Sequence, residues 1–242
     1  MKWYLIRHGN MAGDPHQHWQ PPAQGCLSTT GVRQAIALQE NLDNVVFDAV
    51  FSSPLGRAIQ TAQALRRPSG TAIRVLDWLV EWRPANLDGE IAPARFEEMM
   101  RDAAGLRPEQ AWKTPAGEGA LEMAARIVPG WIDCLESLGV SAGHGGYLLD
   151  NPADERNIAW VAHGGSLGVL LGFILGIPFA PYPPIRFEET GVAVLTLAAR
   201  TDVWYPALEI RPPGAQARPM DINDTGTLRP VKIKLRKVAV RA

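Results

Sequence analysis

The chain has 242 residues, a formal net charge of −1 and 46% hydrophobic residues. This length and composition are typical of a folded globular protein with a sizeable core, and they exclude a disordered chain. The small net charge excludes a global electrostatic field that would draw the chain to nucleic acid or to an anionic membrane. Any bound anion must therefore be held by a local cluster of basic residues.

Cysteine content and hydropathy predict a soluble protein of a reducing compartment. Cys26 and Cys134 are the only cysteines, too few and too far apart for a disulfide framework or a zinc knuckle. The longest apolar stretch, 167–177, contains glycines and is shorter than the roughly 20 residues of a membrane span. The apolar start, 1–6, is too short for a signal peptide. We therefore expect a cytoplasmic protein with neither membrane nor nucleic acid as a partner.

Strand and helix patterns alternate along most of the chain. Buried strands are predicted at 3–7, 48–52, 72–76 and 157–162, followed by a strand hairpin at 192–197 and 202–210. Helices are predicted at 32–42, from Ser53 to about Arg67, near Pro93–Ala104, at 119–138 with an interruption or bend at Pro129, and at 166–175. This alternation predicts an α/β fold, a three-layer α/β/α sandwich around a mostly parallel, mixed central sheet.

The predicted domain organisation is one main domain with a tail. Residues 1–211 form the domain, with insertions near 82–118 and 139–155, and the second insertion reads as a surface loop because it is rich in Gly, Asp and Asn. Residues 212–242 form a C-terminal basic extension. Apolar and basic residues alternate at 231–240, and such an edge strand could pair with another copy to make a homodimer.

Three segments place a basic residue or a histidine where a predicted strand ends or on the helix that follows. They are Arg7-His8-Gly9, the segment 52–62 with Arg57, and His163-Gly164-Gly165. The carboxyl ends of parallel strands meet at one edge of a sheet, so these side chains should converge there. Arginine binds phosphate oxygens with a planar fork, and a neutral imidazole is a nucleophile near neutral pH. Backbone N–H groups of Gly164-Gly165, at a helix start, would add donors for an anion.

These segments also carry a family resemblance, over about residues 3–200. The sequence resembles the histidine phosphatase superfamily, in the branch that includes the phosphoglycerate mutases and small phosphatases. The matching elements are Leu5-Ile6-Arg7-His8-Gly9, Leu27 to Ala35, Ser52 to Ala62, Pro115-Ala116-Gly117-Glu118 and Val161 to Gly165. Their order along the chain is that of the family, which makes the signal specific.

The resemblance implies roles for individual residues and a phosphoglycerate mutase-like fold. His8 would be the nucleophile that accepts the phosphoryl group, and Arg7, Arg57 and His163 would hold its oxygens. In the family a carboxylate in a Leu-x-Glu element protonates the leaving group, with a glycine eight residues later. Glu81 fits this element, with the glycine at position 89. Asp77, Asp88 and Glu90 are its nearby rivals.

The chain departs from the family pattern after Gly9. Residues 10–14 lack a hydroxyl and an amide that usually touch phosphate, although Asn10 could substitute in part. The following loop carries His16 and His18, which lack further ligands for a metal site. Glu118 is either a structural cap or a substrate contact.

Three functions remain open at this point. The leading hypothesis is a phosphatase that hydrolyses phosphate monoesters, a small metabolite or a phosphoprotein, with no metal or other cofactor. A mutase is the first alternative, but the basic segment that mutases carry is absent between positions 89 and 115, which favours the phosphatase. The second alternative is a non-catalytic binding module on the same fold. The identity of the substrate is not readable from the sequence.

Overall fold

The computed structural model describes residues 1–12, 25–65, 70–83, 98, 101–102, 110, 112–114, 117–143, 146–177, 185–200 and 203–211. In chain order the elements are β1 (Lys2–Arg7), α1 (Thr29–Asn41), β2 (Ala49–Ser52), α2 (Gly56–Ala64), β3 (Ile73–Val75), a 3-10 helix (Asp77–Leu79), β4 (Lys113–Thr114), β5 (Gly117–Glu118), α3 (Ala120–Glu136), β6 (Val140–Gly143), β7 (Gly146–Leu149), β8 (Asn157–Ala162), α4 (Gly164–Ile174), β9 (Val192–Arg200) and β10 (Val203–Arg211).

Eight strands form a mixed central sheet in the order β3-β2-β8-β1-β9-β10-β7-β6. The first four strands in this order are parallel to one another. From β1 to β9 and onward, neighbouring strands pair antiparallel. The predicted α/β fold with a mixed sheet is therefore confirmed, including the hairpin formed by β9 and β10.

Side chains of the central strands alternate between two hydrophobic cores, one on each face of the sheet. Trp3 and Leu5 of β1 lie in the core that is covered by α3 and α4. Tyr4 and Ile6 lie in the opposite core, which is covered by α1 and α2. Strands that are buried on both faces read as continuous apolar runs, as the start of this chain does. The two helical layers and the sheet make the three-layer sandwich.

Helix α1 begins at Thr29, three residues before the predicted start at 32, while α2 begins later than predicted. The Ser28 hydroxyl caps α1 by accepting a hydrogen bond from the N–H of Gly31 at 3.0 Å. The predicted start of α2 at Ser53 is wrong by three residues, since α2 begins at Gly56. The reason is that Ser53 continues the strand pairing, with its N–H donating to the carbonyl of Val161 at 2.9 Å.

The predicted surface loop at 139–155 is wrong in its first half. Strands β6 and β7 form an antiparallel hairpin there, and Tyr147 pairs with Trp204 of β10. Val140 and Tyr147 are buried in the core, and the Tyr147 ring packs edge-on against Trp3 at 4.9 Å. Glycines hide this hairpin in the sequence, because they weaken strand patterns and leave only a few side chains to reveal the alternation.

Helix α3 runs through Pro129 as one helix from Ala120 to Glu136. Several sequence predictions fall outside the described residues. These are the loop with His16 and His18, most of the helix near Pro93–Ala104, and the extension 212–242. Among the helices that the structure describes, none is long and apolar enough to cross a membrane.

Candidate active site

The carboxyl ends of four parallel strands bring the predicted site residues to one edge of the sheet. Arg7 pairs with Ala162 in the register of β1 and β8, so His8 and His163 follow side by side. The N–H of His8 extends this pairing by donating to the carbonyl of Ala162 at 3.0 Å. Strand β2 ends at the same level, where Ser52 pairs with Val161. The ring centres of the two histidines lie 4.9 Å apart.

His8 is held in one tautomer by its two ring nitrogens. Its Nδ1 lies 2.6 Å from the carbonyl oxygen of Gly9, and a carbonyl can only accept, so Nδ1 carries the hydrogen. Its Nε2 lies 3.1 Å from the Nε of Arg57, and a guanidinium can only donate. The Nε2 atom therefore keeps its lone pair, as a nucleophile requires.

The surroundings keep the His8 imidazole neutral. The side chain is only 5% exposed. Burial, and after it the positive charge of Arg57, lowers the pKa of His8 from 6.5 to about 3. The unprotonated Nε2 is therefore present throughout the neutral pH range.

The two arginines approach His8 from different elements. Arg57 lies in the first turn of α2 and is 3% exposed. Burial lowers the pKa of its guanidinium, and the carboxylate of Glu81 opposes this shift. Arg7 ends β1, and its Nη1 donates to the carbonyl of Phe187 at 2.6 Å, which fixes the guanidinium beside the first turn of α4.

His163 precedes α4 and is fully buried. Its Nε2 lies 2.7 Å from the hydroxyl of Ser53, which follows β2. Burial, followed by the neighbouring His8 and Arg57, lowers the pKa of His163 well below its usual range. Ser53 was not singled out in the sequence, although its position beside a strand end in the Ser-Ser-Pro element is a signal that could have found it.

Three buried nitrogens of this cluster have no hydrogen-bond partner within the described part of the chain. They are the Nε of Arg7, the Nη1 of Arg57 and the Nδ1 of His163. An unsatisfied buried polar atom costs about 1–3 kcal/mol, so such atoms are rare in proteins. Their gathering around one histidine is explained if the oxygens of an anion are their natural partners.

Glu81 lies at the N-terminal end of α4. Its carboxylate accepts hydrogen bonds from the N–H groups of Gly165 at 3.2 Å and Ser166 at 3.1 Å. The side-chain oxygens are suitable acceptors at this position, because a helix N-terminus leaves N–H groups without partners inside the helix. The structure thus brings Glu81 to the helix that follows His163, while the rivals Asp88 and Glu90 lie outside the described residues.

Glu118 is part of a buried ion pair. Its carboxylate accepts from Arg126 of α3 at 2.7 and 2.8 Å and from the N–H of Arg83 at 3.0 Å. The structural alternative for Glu118 is therefore the one that its contacts support. Arg126 was missed in the sequence, where a single arginine in an apolar helix gives no sign of its partner.

Asn10 and Gly164 lie at the margin of the site. The Asn10 amide group donates to Glu189 at 3.0 Å and accepts from the Ser28 hydroxyl at 2.6 Å, so both ends of the side chain have protein partners. Its assignment to substrate binding stays a prediction. Gly164 and Arg7 both line a cavity of about 400 Å³ beside α4, which leaves room for part of a substrate.

The described residues of this region do not assemble a set of metal ligands. Among the described residues, no group of three or more His, Cys, Asp or Glu side chains could hold a metal ion. The positive charge of the site is supplied by its arginines.

Known proteins are similar to this chain in sequence and fold. The family model of the histidine phosphatase superfamily, branch 1, matches residues 3–204. The protein of Salmonella typhi named "Probable phosphoglycerate mutase GpmB" is 26% identical over 196 residues, which cover 78% of this chain and 82% of that protein.

Two solved structures have the same fold. A mycobacterial glucosyl-3-phosphoglycerate phosphatase has a TM-score of 0.66 and 26% identity, with 86% of this chain and 97% of that chain covered. The alpha-ribazole phosphatase of Shigella flexneri has a TM-score of 0.63 and 22% identity, with 90% and 98% covered. The resemblance seen in the sequence is thereby confirmed, and this chain belongs to the histidine phosphatase superfamily, branch 1.

Proposed function

We propose that this protein is a phosphatase that hydrolyses phosphate monoesters through a phosphohistidine on His8, without a metal ion. The observation that carries the proposal is the neutral Nε2 of His8, surrounded by three buried nitrogens that lack protein partners. A phosphoryl group has the charge and the oxygens that such a cluster would bind.

In the first step, the Nε2 lone pair of His8 attacks phosphorus and the bond from phosphorus to the ester oxygen breaks. The side chains of Arg7, Arg57 and His163 would hold the phosphoryl oxygens and stabilise the charge that shifts in the transition state. Arg57 suits this role because its Nε contacts Nε2 of His8 while its Nη1 has no partner within the described residues.

Glu81 would be the general acid of the first step. An alkoxide is a poor leaving group, so a proton from Glu81 would convert it to an alcohol as the bond breaks. In the second step the same carboxylate would take a proton from water, which attacks phosphorus and breaks the bond to Nε2. Inorganic phosphate leaves, and both His8 and Glu81 return to their starting states.

The test uses p-nitrophenyl phosphate with the full chain. Intact-mass measurement after rapid mixing should find one added phosphoryl group that is lost in acid, and p-nitrophenol should be released over many turnovers. His8→Ala should abolish both signals. The proposal is wrong if the wild-type chain releases no p-nitrophenol from this substrate, or if His8→Ala matches wild type in both measurements.

A mutase is the second candidate, and the similarity to the Salmonella typhi protein favours it. A mutase would return the phosphoryl group of His8 to an acceptor on the substrate instead of to water. A coupled assay with phosphoglycerate and a bisphosphate primer separates the two functions. We expect inorganic phosphate as the main product, and isomerisation faster than phosphate release would favour the mutase.

A further inference from the structure

The segment that carries Glu81 is held by one side chain from a distant helix. Arg126 of α3 directs its guanidinium at three backbone carbonyls of this segment. The acceptors are Trp78 at 2.7 Å, Val80 at 2.9 Å and Glu81 at 3.0 Å. The carbonyl of Trp78 belongs to the three-residue 3-10 helix, and the carbonyls of Val80 and Glu81 follow its end, where the backbone has lost its regular partners.

The remaining donors of Arg126 go to Glu118. Nε donates to one carboxylate oxygen at 2.7 Å, and Nη2 donates to the other at 2.8 Å. All five N–H groups of the guanidinium are therefore used, which is the full capacity of an arginine. The side chains of Arg126 and Glu118 are only 14% and 5% exposed, so water competes little for these bonds.

Glu118 also binds the segment that carries Glu81, through the two residues that follow Glu81. Its carboxylate accepts from the N–H of Arg83 at 3.0 Å, its carbonyl accepts from the indole N–H of Trp82 at 2.6 Å, and its own N–H donates to the carbonyl of Arg83 at 2.9 Å. Residues on both sides of Glu81 are thus tied to the pair. The carboxylate of Glu81 is left to meet the first turn of α4.

We propose that Arg126 and Glu118 are a positioning pair that fixes Glu81 for proton transfer to the leaving group. This inference rests on the proposed function, in which Glu81 is the general acid. A lysine at position 126 keeps the positive charge but cannot make five fixed bonds. Arg126→Lys should therefore loosen Glu81 while leaving Arg7, Arg57 and His163 in place around His8.

The test compares two substrates whose leaving groups differ in their need for a proton. The p-nitrophenolate ion leaves readily without a proton, whereas the alkoxide of glycerol phosphate does not. General acid catalysis contributes about 10²-fold to 10⁴-fold, so a displaced Glu81 should lower kcat/KM for glycerol phosphate at least about tenfold. The rate at which the phosphoenzyme forms from p-nitrophenyl phosphate should fall by less than about threefold.

A matched control is Arg156→Lys. Arg156 also forms a fork to a carboxylate, that of Asp154, and donates to the carbonyl of Leu138, but it precedes β8 at the opposite edge of the sheet. This variant should lose thermal stability without a difference between the two substrates. The inference would be overturned if Arg156→Lys showed as large a difference between its activity losses on the two substrates as Arg126→Lys does.

A double-mutant cycle shows whether Arg126 acts through Glu81. In a Glu81→Gln background the acid is already absent, so adding Arg126→Lys should cost no further activity on glycerol phosphate. Equal losses with and without Glu81, or equal losses on both substrates, would overturn the positioning role. If instead the wild-type chain forms no phosphohistidine, it is the proposed function that fails, and the two failures are distinguishable.

Discussion

The Nε of Arg57 donates a hydrogen bond of 3.1 Å to the Nε2 of His8. This contact joins the end of β1 to the first turn of α2, and it directs the guanidinium at the same atom that would attack phosphorus. The neighbouring Nη1 of Arg57 is buried and has no partner within the described residues. In the proposed function, one planar group would thus both orient the nucleophile and offer a donor to the phosphoryl group.

Arg57→Lys keeps the positive charge but removes the planar group, so it tests whether the two contacts of the guanidinium matter beyond its charge. A lysine ammonium is a single point charge, so it cannot contact His8 and a phosphate oxygen in one fixed plane. We expect kcat/KM for p-nitrophenyl phosphate to fall by about 10²-fold to 10³-fold, as when one donor of a charge-stabilising site is lost. Arg33→Lys on the exposed side of α1 is the control, and a loss of less than about threefold in Arg57→Lys would contradict the role.

The low pKa of His8 predicts a stability that falls in acid. Above pH 6.5 the histidine is neutral in both the folded and the unfolded chain. Below pH 6.5 His8 binds a proton in the unfolded chain, but in the folded chain it does so only near its lowered pKa of about 3. Stability is therefore lost as the pH falls through this window. The loss is about 1.4 kcal/mol per pH unit, or about 2 kcal/mol between pH 7.5 and pH 5.0.

Urea unfolding at these two pH values measures the effect. His8→Gln should lose about 2 kcal/mol less than wild type between pH 7.5 and pH 5.0. Part of the pH dependence should remain in this variant, because the pKa of His163 is lowered in the same direction by burial. An identical pH dependence in wild type and His8→Gln would contradict the neutral, buried state of His8.

The clustering of Arg7, His8 and His163 at one edge of the sheet could be predicted from the sequence, but the contacts that support it could not. Arg7, His8 and His163 are local to strand ends, and the rule for parallel strands brings such residues together without further information. The contacts of Arg126 to Trp78 and of Asn10 to Glu189 span 48 and 179 residues. No spacing rule connects such pairs, and packing decides them.

The same distinction holds for the fold. Buried parallel strands such as β1 and β8 can be predicted because they are short apolar runs in the sequence. The β6–β7 hairpin cannot, because its strands are short and glycines interrupt the alternation of their side chains. Ser53 shows the same limit at finer scale, since a bond to Val161 keeps it in the strand pairing although the next residue is a proline suited to a helix start.

Thr190 stores backbone strain directly beside His8. Its φ is 55°, a region that a β-branched residue rarely adopts, and its N–H donates to the carbonyl of His8 at 3.3 Å. Strain of this kind costs about 1–3 kcal/mol. Asparagine tolerates this conformation better, so Thr190→Asn should raise the free energy of unfolding by about 1 kcal/mol.

The control for this prediction is Thr30→Asn in the first turn of α1, where the backbone is helical. It should bring no gain, because asparagine has no conformational advantage there. Urea unfolding of both variants checks the difference. If Thr190→Asn is no more stable than Thr30→Asn, the turn before β9 does not hold the strain that its φ indicates.

Gly165 leaves the space in which the Glu81 carboxylate sits. A Cβ at this position would lie 2.5 Å from Oε1 of Glu81, whereas a Cβ on Gly164 would lie 3.7 Å from its nearest neighbour, the Nε of Arg7. Gly165→Ala should therefore displace Glu81 and lower kcat/KM for glycerol phosphate more than about tenfold beyond any change with p-nitrophenyl phosphate. Gly164→Ala keeps the backbone N–H and should change kcat/KM by the same factor for both substrates. Both substitutions add the same helix propensity to the first turn of α4, so comparing the two variants removes that contribution. A substrate-independent effect of Gly165→Ala would mean that Glu81 does not protonate the leaving group from this position.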